Sequence, residues 1–289
     1  MVRAAFLATV LCLASVLPAG ALELAPHKDR LFAYPALLEG SAPPAYRIVD
    51  YREMRDINGR DAVPERRVKD EYVSLSFASQ RADLVLKTGG LSIAHVAAGR
   101  RSKASLVVIY LHGQGGTRIQ GVADYTFGGN FNRVQNLVTA AGGLYLSLDL
   151  SDFESRGAAE VKALADHYLQ ASPGARVFLA CGSMGGQLCW RLARDGEVVR
   201  RMGGMMLLGS MWDDAFTGSA AFRARVPVLF GHGSRDTVFP VERQEAFFRS
   251  ILKTAPDYPA RFVRFETGTH GTPIRMTDWR ETLNWMLNN

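Results

Sequence analysis

Cysteine is scarce in this 289-residue chain, which has three: Cys12, Cys181 and Cys189. So few exclude a disulfide-stapled small scaffold and a thiolate metal cluster. No H-E-x-x-H or similar clustered ligand set occurs, so no metal is implied. Long apolar runs are missing after residue 17, and without a second stretch of about 18 apolar residues no downstream membrane-spanning helix is expected. Blocks of one charge are missing too. The chain carries 34 Lys+Arg against 28 Asp+Glu, a net charge of +6, but the two signs alternate. That pattern reads as solvated surface, not as a nucleic-acid interface. There is no internal repeat or low-complexity tract. With 47% hydrophobic and 21% charged residues, the chain is expected to form one globular domain with a sizeable core.

The N-terminus reads Met-Val-Arg, then "AAFLATVLCLASVL" from 4 to 17, then "PAGA". Ala19 and Ala21 occupy small-residue cleavage positions, so residues 1–21 have the layout of a secretory signal peptide. The expectation is export to a periplasm or beyond, with no stable membrane anchor. Leu11 is too large to precede a lipidated Cys12. Cys181 and Cys189 then remain in an oxidising compartment. Placed at a strand end and in the next helix, their side chains are expected to point apart, leaving two buried free thiols.

Residues 22–45 show little periodicity and read as an irregular arm, followed by a single domain over 46–289. From 46 to 98 the runs "YRIVDYREM", "EYVSLSFAS", "ADLVLKT" and "LSIAHVAA", punctuated by Asn58-Gly59 and Gly89-Gly90, predict antiparallel hairpins. After 104 the character changes. Continuous apolar runs "SLVVIYLHG", "GLYLSLDL", "RVFLACG", "RMGGMMLLG" and "VPVLFGHG" alternate with helical patterns, as a parallel sheet buried on both faces requires. Val161, Leu164, Ala165, Tyr168 and Leu169 share one helical face. Trp279, Leu283, Met286 and Leu287 share another, behind the capping pair Asp278 and Glu281. The whole predicts antiparallel strands leading into a mainly parallel αβα sandwich.

In such sheets ligands bind at the carboxyl ends of the strands, and four loops there are unusual. In "FLACGSMGG" an apolar run stops at Ser183 among small residues, as in a nucleophile elbow that projects a strained serine from the top of a sheet. Cys181 stands where the usual G-x-S-x-G pattern has its first glycine, and Gly185 holds the second place. "YLHGQGG" runs a strand into glycine-rich backbone that can aim main-chain N–H groups at developing negative charge. The amides of Gln114 and Met184 are the candidates. No Gly-Lys-Ser/Thr follows, which argues against a phosphate loop. "FGHGSRDTVFP" presents Asp236 and "FETGTHGTP" presents His270. Serine, acid and histidine thus follow in the chain order of an α/β-hydrolase.

On these motifs the chain resembles the α/β-hydrolases over about residues 70–289. It is similar to serine esterases of the carboxylesterase/phospholipase and polyester-depolymerase-like groups, whose "LHG" loop and HG-x-x-D-x-x-(V/F)-P turn it shares. The resemblance implies an α/β-hydrolase fold with a mainly parallel sheet, helices on both faces and little or no lid. It also implies acyl transfer to Ser183 as nucleophile, His270 as base and acid, Asp236 as its orienting carboxylate, and no cofactor. Asp213 and Asp214 are the rival acids, as in relatives that place the acid one strand earlier. Cys181 lies two residues before the elbow apex and cannot take the nucleophile's place. His112 and His232 read as structural.

Segment 211–224 is too short for a large lid, so the pocket is expected to be open. Tyr125, Phe127, Trp212 and Phe239 are candidate pocket residues, and the loop 113–130 is the candidate source of specificity. The expected function is ester hydrolysis on a small or polymer-borne substrate. A serine peptidase or amidase, an acyltransferase and a non-catalytic binding protein are the alternatives.

Overall fold

The computed structural model describes residues 22–40, 42 and 45–289, so the expected signal peptide lies outside the described residues. Nine strands form one sheet. In chain order they are β1 (Tyr46–Val49), β4 (Arg81–Thr88), β5 (Leu91–Gly99), β6 (Val107–Leu111), β7 (Leu144–Leu148), β8 (Val177–Gly182), β9 (Met202–Leu208), β10 (Val228–Gly233) and β11 (Ala260–Phe265). A small separate hairpin pairs β2 (Asp61–Val63) with β3 (Arg67–Val68). The order across the large sheet is β1-β11-β10-β9-β8-β6-β7-β5-β4. All its pairings are parallel except β5 with β7 and β4 with β5.

The central strands are apolar throughout because helices cover both faces: every residue of β6 to β10 is buried. On one face the helices Ser155–Gln170, Gly185–Leu192 and Val241–Thr254 insert Leu164, Leu188 and Phe247. On the other, Asn130–Ala140 and Trp279–Leu287 insert Phe131, Leu283 and Met286. The Asp278 carboxylate accepts from the Glu281 N–H, satisfying one orphan donor at the start of the last helix. Residues 22–40 are tied to the domain. Leu24 and Phe32 are fully or almost fully buried, and Asp29 binds both Arg133 and Arg280.

Three expectations about the N-terminal part are corrected. Only the Gly89-Gly90 turn makes a hairpin of the large sheet, between β4 and β5. Asn58-Gly59 lies in a 3-10 turn. The run "EYVSLSFAS" forms no strand, because side chains of the helix Asn130–Ala140 take its backbone groups: Ser74 N–H donates to Asn132 Oδ1, and its carbonyl accepts from Asn132 and Asn136. β1 makes no hairpin with the runs that follow it: it pairs in parallel with β11, while the bridges Leu37–Val49 and Ala42–Tyr46 join it antiparallel to the residues before it.

The cysteines depart from expectation as well. Cys181 and Cys189 form a disulfide, with Cα atoms 6.5 Å apart, within the range that a disulfide spans. The sharp turn at Ser183 folds the helix back against β8, which brings the two side chains together.

Candidate active site

The loops after β6, β8, β10 and β11 converge at the carboxyl edge of the sheet. β8 ends at Gly182 and the next helix starts at Gly185, so the chain reverses around Ser183, whose φ is +50°. A non-glycine residue is strained there, and its surroundings hold it. Its N–H donates to the Leu208 carbonyl at 3.1 Å, and its carbonyl accepts from Ser210 Oγ at 2.7 Å. The crowding explains the small neighbours. A Cβ on Gly185 would meet the Leu111 carbonyl oxygen at 2.4 Å, and one on Gly186 would meet Ser210 Oγ at 1.7 Å. Cys181 fits in the usual glycine position because its side chain turns into the core toward Cys189.

His270 Nε2 lies 2.9 Å from Ser183 Oγ, and His270 Nδ1 lies 2.8 Å from Asp236 Oδ2. With Nδ1–H donating to the carboxylate, Nε2 is the nitrogen placed to accept a hydrogen bond from the serine hydroxyl. The other carboxylate oxygen accepts from the N–H groups of Val238 at 2.8 Å and Phe239 at 3.0 Å. His232 Nε2 approaches Oδ2 at 3.3 Å and binds the Phe239 carbonyl at 2.7 Å. Burial pushes the Asp236 carboxyl up, but the hydrogen bonds from His232, His270, Phe239 and Val238 outweigh it and hold the carboxyl well below the usual range. Asp236 is therefore an anion facing His270. Asp213 binds Arg194 instead, and Asp214 is exposed.

A cavity of about 380 Å³ opens beside Ser183 and His270, within the range of small-molecule sites. Gln114 and Met184 line it next to the serine hydroxyl. No turn or loop hydrogen bond among the described residues uses the N–H of either. Of the four aromatic candidates, Phe127 and Phe239 line the cavity. Tyr125 and Trp212 do not. Tyr125 stacks on Arg67 with the guanidinium 3.7 Å from its ring centre, and Trp212 lies under Arg243, because a cation over the ring face offers each a better contact at the surface. Sequence reasoning missed Tyr110, Gln120, Leu208, Val238 and Ile274 on the wall, and the contact of His232 with Asp236. The only sequence signal for His232 was its place four residues before the acid.

No protein-family model and no curated protein sequence matches the chain. Solved structures do. A candidate α/β hydrolase of unknown function from Agrobacterium tumefaciens aligns over 72% of this chain and 97% of its own, with a TM-score of 0.58 and 15% identity. A thermostable esterase aligns over 74% of this chain and 64% of its own, with a TM-score of 0.57 and 16% identity. A lid-free α/β serine hydrolase from Xanthomonas campestris aligns over 73% of this chain and 94% of its own, with a TM-score of 0.53 and 14% identity. Sheet order, loop placement and these likenesses agree: the chain has the α/β-hydrolase fold.

Proposed function

We propose that the protein is an exported serine hydrolase that cleaves carboxylic ester bonds through an acyl-enzyme on Ser183. The observation that carries this reading is the unbroken hydrogen-bond chain from Ser183 through His270 to Asp236 at the mouth of an apolar cavity. In the first half-reaction Ser183 Oγ attacks the ester carbonyl carbon while His270 Nε2 takes its proton. The carbonyl oxygen becomes an oxyanion facing the Gln114 and Met184 N–H groups, and Asp236 stabilises the imidazolium. His270 then returns the proton to the leaving alcohol. Water repeats the sequence on the acyl-enzyme, releasing the acid and restoring Ser183.

An ester is favoured over a peptide because the cavity lining carries no carboxylate, lysine or arginine among the described residues to hold the charged or polar neighbours of a peptide bond. Export is supported by the leader-like residues 1–21 and by the buried disulfide, a bond that persists in oxidising compartments.

The test is fluorophosphonate labelling of the purified protein and its Ser183→Ala variant, read by mass spectrometry, beside hydrolysis of p-nitrophenyl esters from acetate to palmitate. Labelling confined to Ser183 with turnover of short esters is expected. A folded protein that neither labels nor turns over any ester refutes the reading.

A further inference from the structure

Besides Ser183 and His270, the cavity wall carries two glutamines, Gln114 and Gln120, and the support of Gln120 is unusually rigid. Gln120 starts the 3-10 turn Gln120–Val122 and lines the cavity with Tyr110 and Phe127. Tyr110 is fully buried on β6, set edge-on to Phe131 with ring centres 4.6 Å apart, and its hydroxyl donates to Gln120 Oε1 at 3.2 Å. The next residue is pressed into place from below. A Cβ on Gly121 would meet Ser147 Oγ at 2.5 Å and Tyr110 Cδ1 at 2.6 Å, and the Tyr145 hydroxyl donates to the Gly121 carbonyl at 2.8 Å. Two residues earlier, Arg118 ties the same loop to Asp149 and Asp83. With Oε1 held by Tyr110, the Gln120 amide nitrogen makes no hydrogen bond to another described residue.

A turn anchored on every side that delivers one free donor beside a nucleophile is a preorganised recognition element. Largely apolar sites fix ligand orientation through a small number of such placed polar groups. The chemistry says which part of the substrate it meets. His270 must protonate the departing alcohol, and Phe239 packs near the His270 ring with centres 5.7 Å apart, so the alcohol is assigned to the side of Phe239. The acyl chain then lies on the side of Tyr110, Gln120 and Phe127. We infer that Gln120 is a specificity-determining residue, and that the preferred substrates are esters whose acyl chain carries a carbonyl or hydroxyl oxygen a few carbons from the ester. This rests on the serine-hydrolase reading above.

The test compares kcat/KM for p-nitrophenyl 4-oxopentanoate with pentanoate and 5-oxohexanoate with hexanoate, each divided by its rate of alkaline hydrolysis. The same pairs are run on Gln120→Met and Tyr110→Phe, with thermal melts and fluorophosphonate labelling of every variant. At least one oxo ester is expected to be preferred about tenfold, the worth of one good hydrogen bond. Gln120→Met, folded and still labelled at Ser183, should bring that ratio to about one, the ratio within each pair being the readout. Tyr110→Phe should reduce it partly, because the amide is no longer held. No preference in the unmodified protein, or a preference that survives Gln120→Met, overturns the inference while leaving Ser183 labelling intact. Loss of labelling in the unmodified protein overturns the serine reading, and this one with it.

Discussion

Gly113→Ala is the sharpest test of how tightly the site is built. The backbone at 113 is not left-handed, so alanine adds no conformational strain. What it adds is one methyl group, 2.8 Å from Ser183 Cβ and 3.3 Å from Ser183 Oγ. Carbon atoms at rest stand about 3.5–4.0 Å apart, so relief needs a displacement of about 0.7 Å or more. Ser183 cannot give way through its backbone, since Leu208 and Ser210 hold its N–H and carbonyl. The shift therefore falls on the hydroxyl and on the glycine-rich loop that carries the Gln114 amide. A misplacement of about 1 Å in a reacting geometry costs on the order of a hundredfold in rate, whereas overpacking costs about 1–3 kcal/mol of stability. The assay is kcat/KM for p-nitrophenyl butyrate beside urea unfolding. Gly174→Ala, where an added Cβ meets nothing within 4 Å, is the control and should leave both unchanged. A folded Gly113→Ala variant with kcat/KM within about threefold of the unmodified enzyme would refute the argument.

Ser183→Ala should lower kcat by about 10⁴-fold or more with a small change in melting temperature, checked by burst kinetics and calorimetry. Asp236→Asn should lower kcat by about 10⁴-fold, because the amide oxygen stays with the Val238 and Phe239 N–H groups and the amide nitrogen then donates to His270 Nδ1, leaving the proton on Nε2, whereas Asp213→Asn should leave the rate unchanged; equal losses in both would move the acid. Asp236 also predicts a pH effect on stability. Its carboxyl is held below the usual range, so its contribution is fully present above about pH 4 and fades as the pH falls below that value. Urea unfolding between pH 3 and 7 should therefore show a shallower acid loss in Asp236→Asn than in the unmodified protein. The disulfide closes a sequence separation of 8 residues, a loop whose closure is worth about 2.5 kcal/mol in the chain-entropy estimate. Unfolding with and without reductant should differ by about that amount, and identical curves for protein shown by thiol titration to differ in oxidation state would contradict it.

The sheet was legible where burial on both faces leaves a strand no choice but an unbroken apolar run. "RVFLACG" and "VPVLFGHG" contain β8 and β10 for that reason. Legibility failed where a distant element supplied the decisive hydrogen bond. Residues 71–79 alternate like a strand, yet Asn132 and Asn136, some sixty positions later, take the backbone groups of Ser74. β1 looked like half of a hairpin with the runs after it, and its partner strand in the sheet, β11, lies more than two hundred residues away. Trp212 and Tyr125 fell among the pocket candidates because sequence places them near strand ends, and it says nothing of the arginines that cover them.

Local chemistry written along the chain determined the kinds of groups at the sheet's carboxyl edge. Small residues flank Ser183, glycines follow β6, and Asp236 and His270 close two later strands in a fixed order. Those are short-range facts of turn geometry and strand burial, so one sequence suffices to state them. Tertiary structure decided what depends on through-space distance. It brought His270 within 2.9 Å of Ser183 and 2.8 Å of Asp236, and it joined Cys181 to Cys189 across the elbow. It also set Gln120 beside the nucleophile on a turn clamped by Tyr110 and Tyr145. Spacing along a chain does not encode such contacts, because strand order and helix packing fix them only when the whole sheet is assembled.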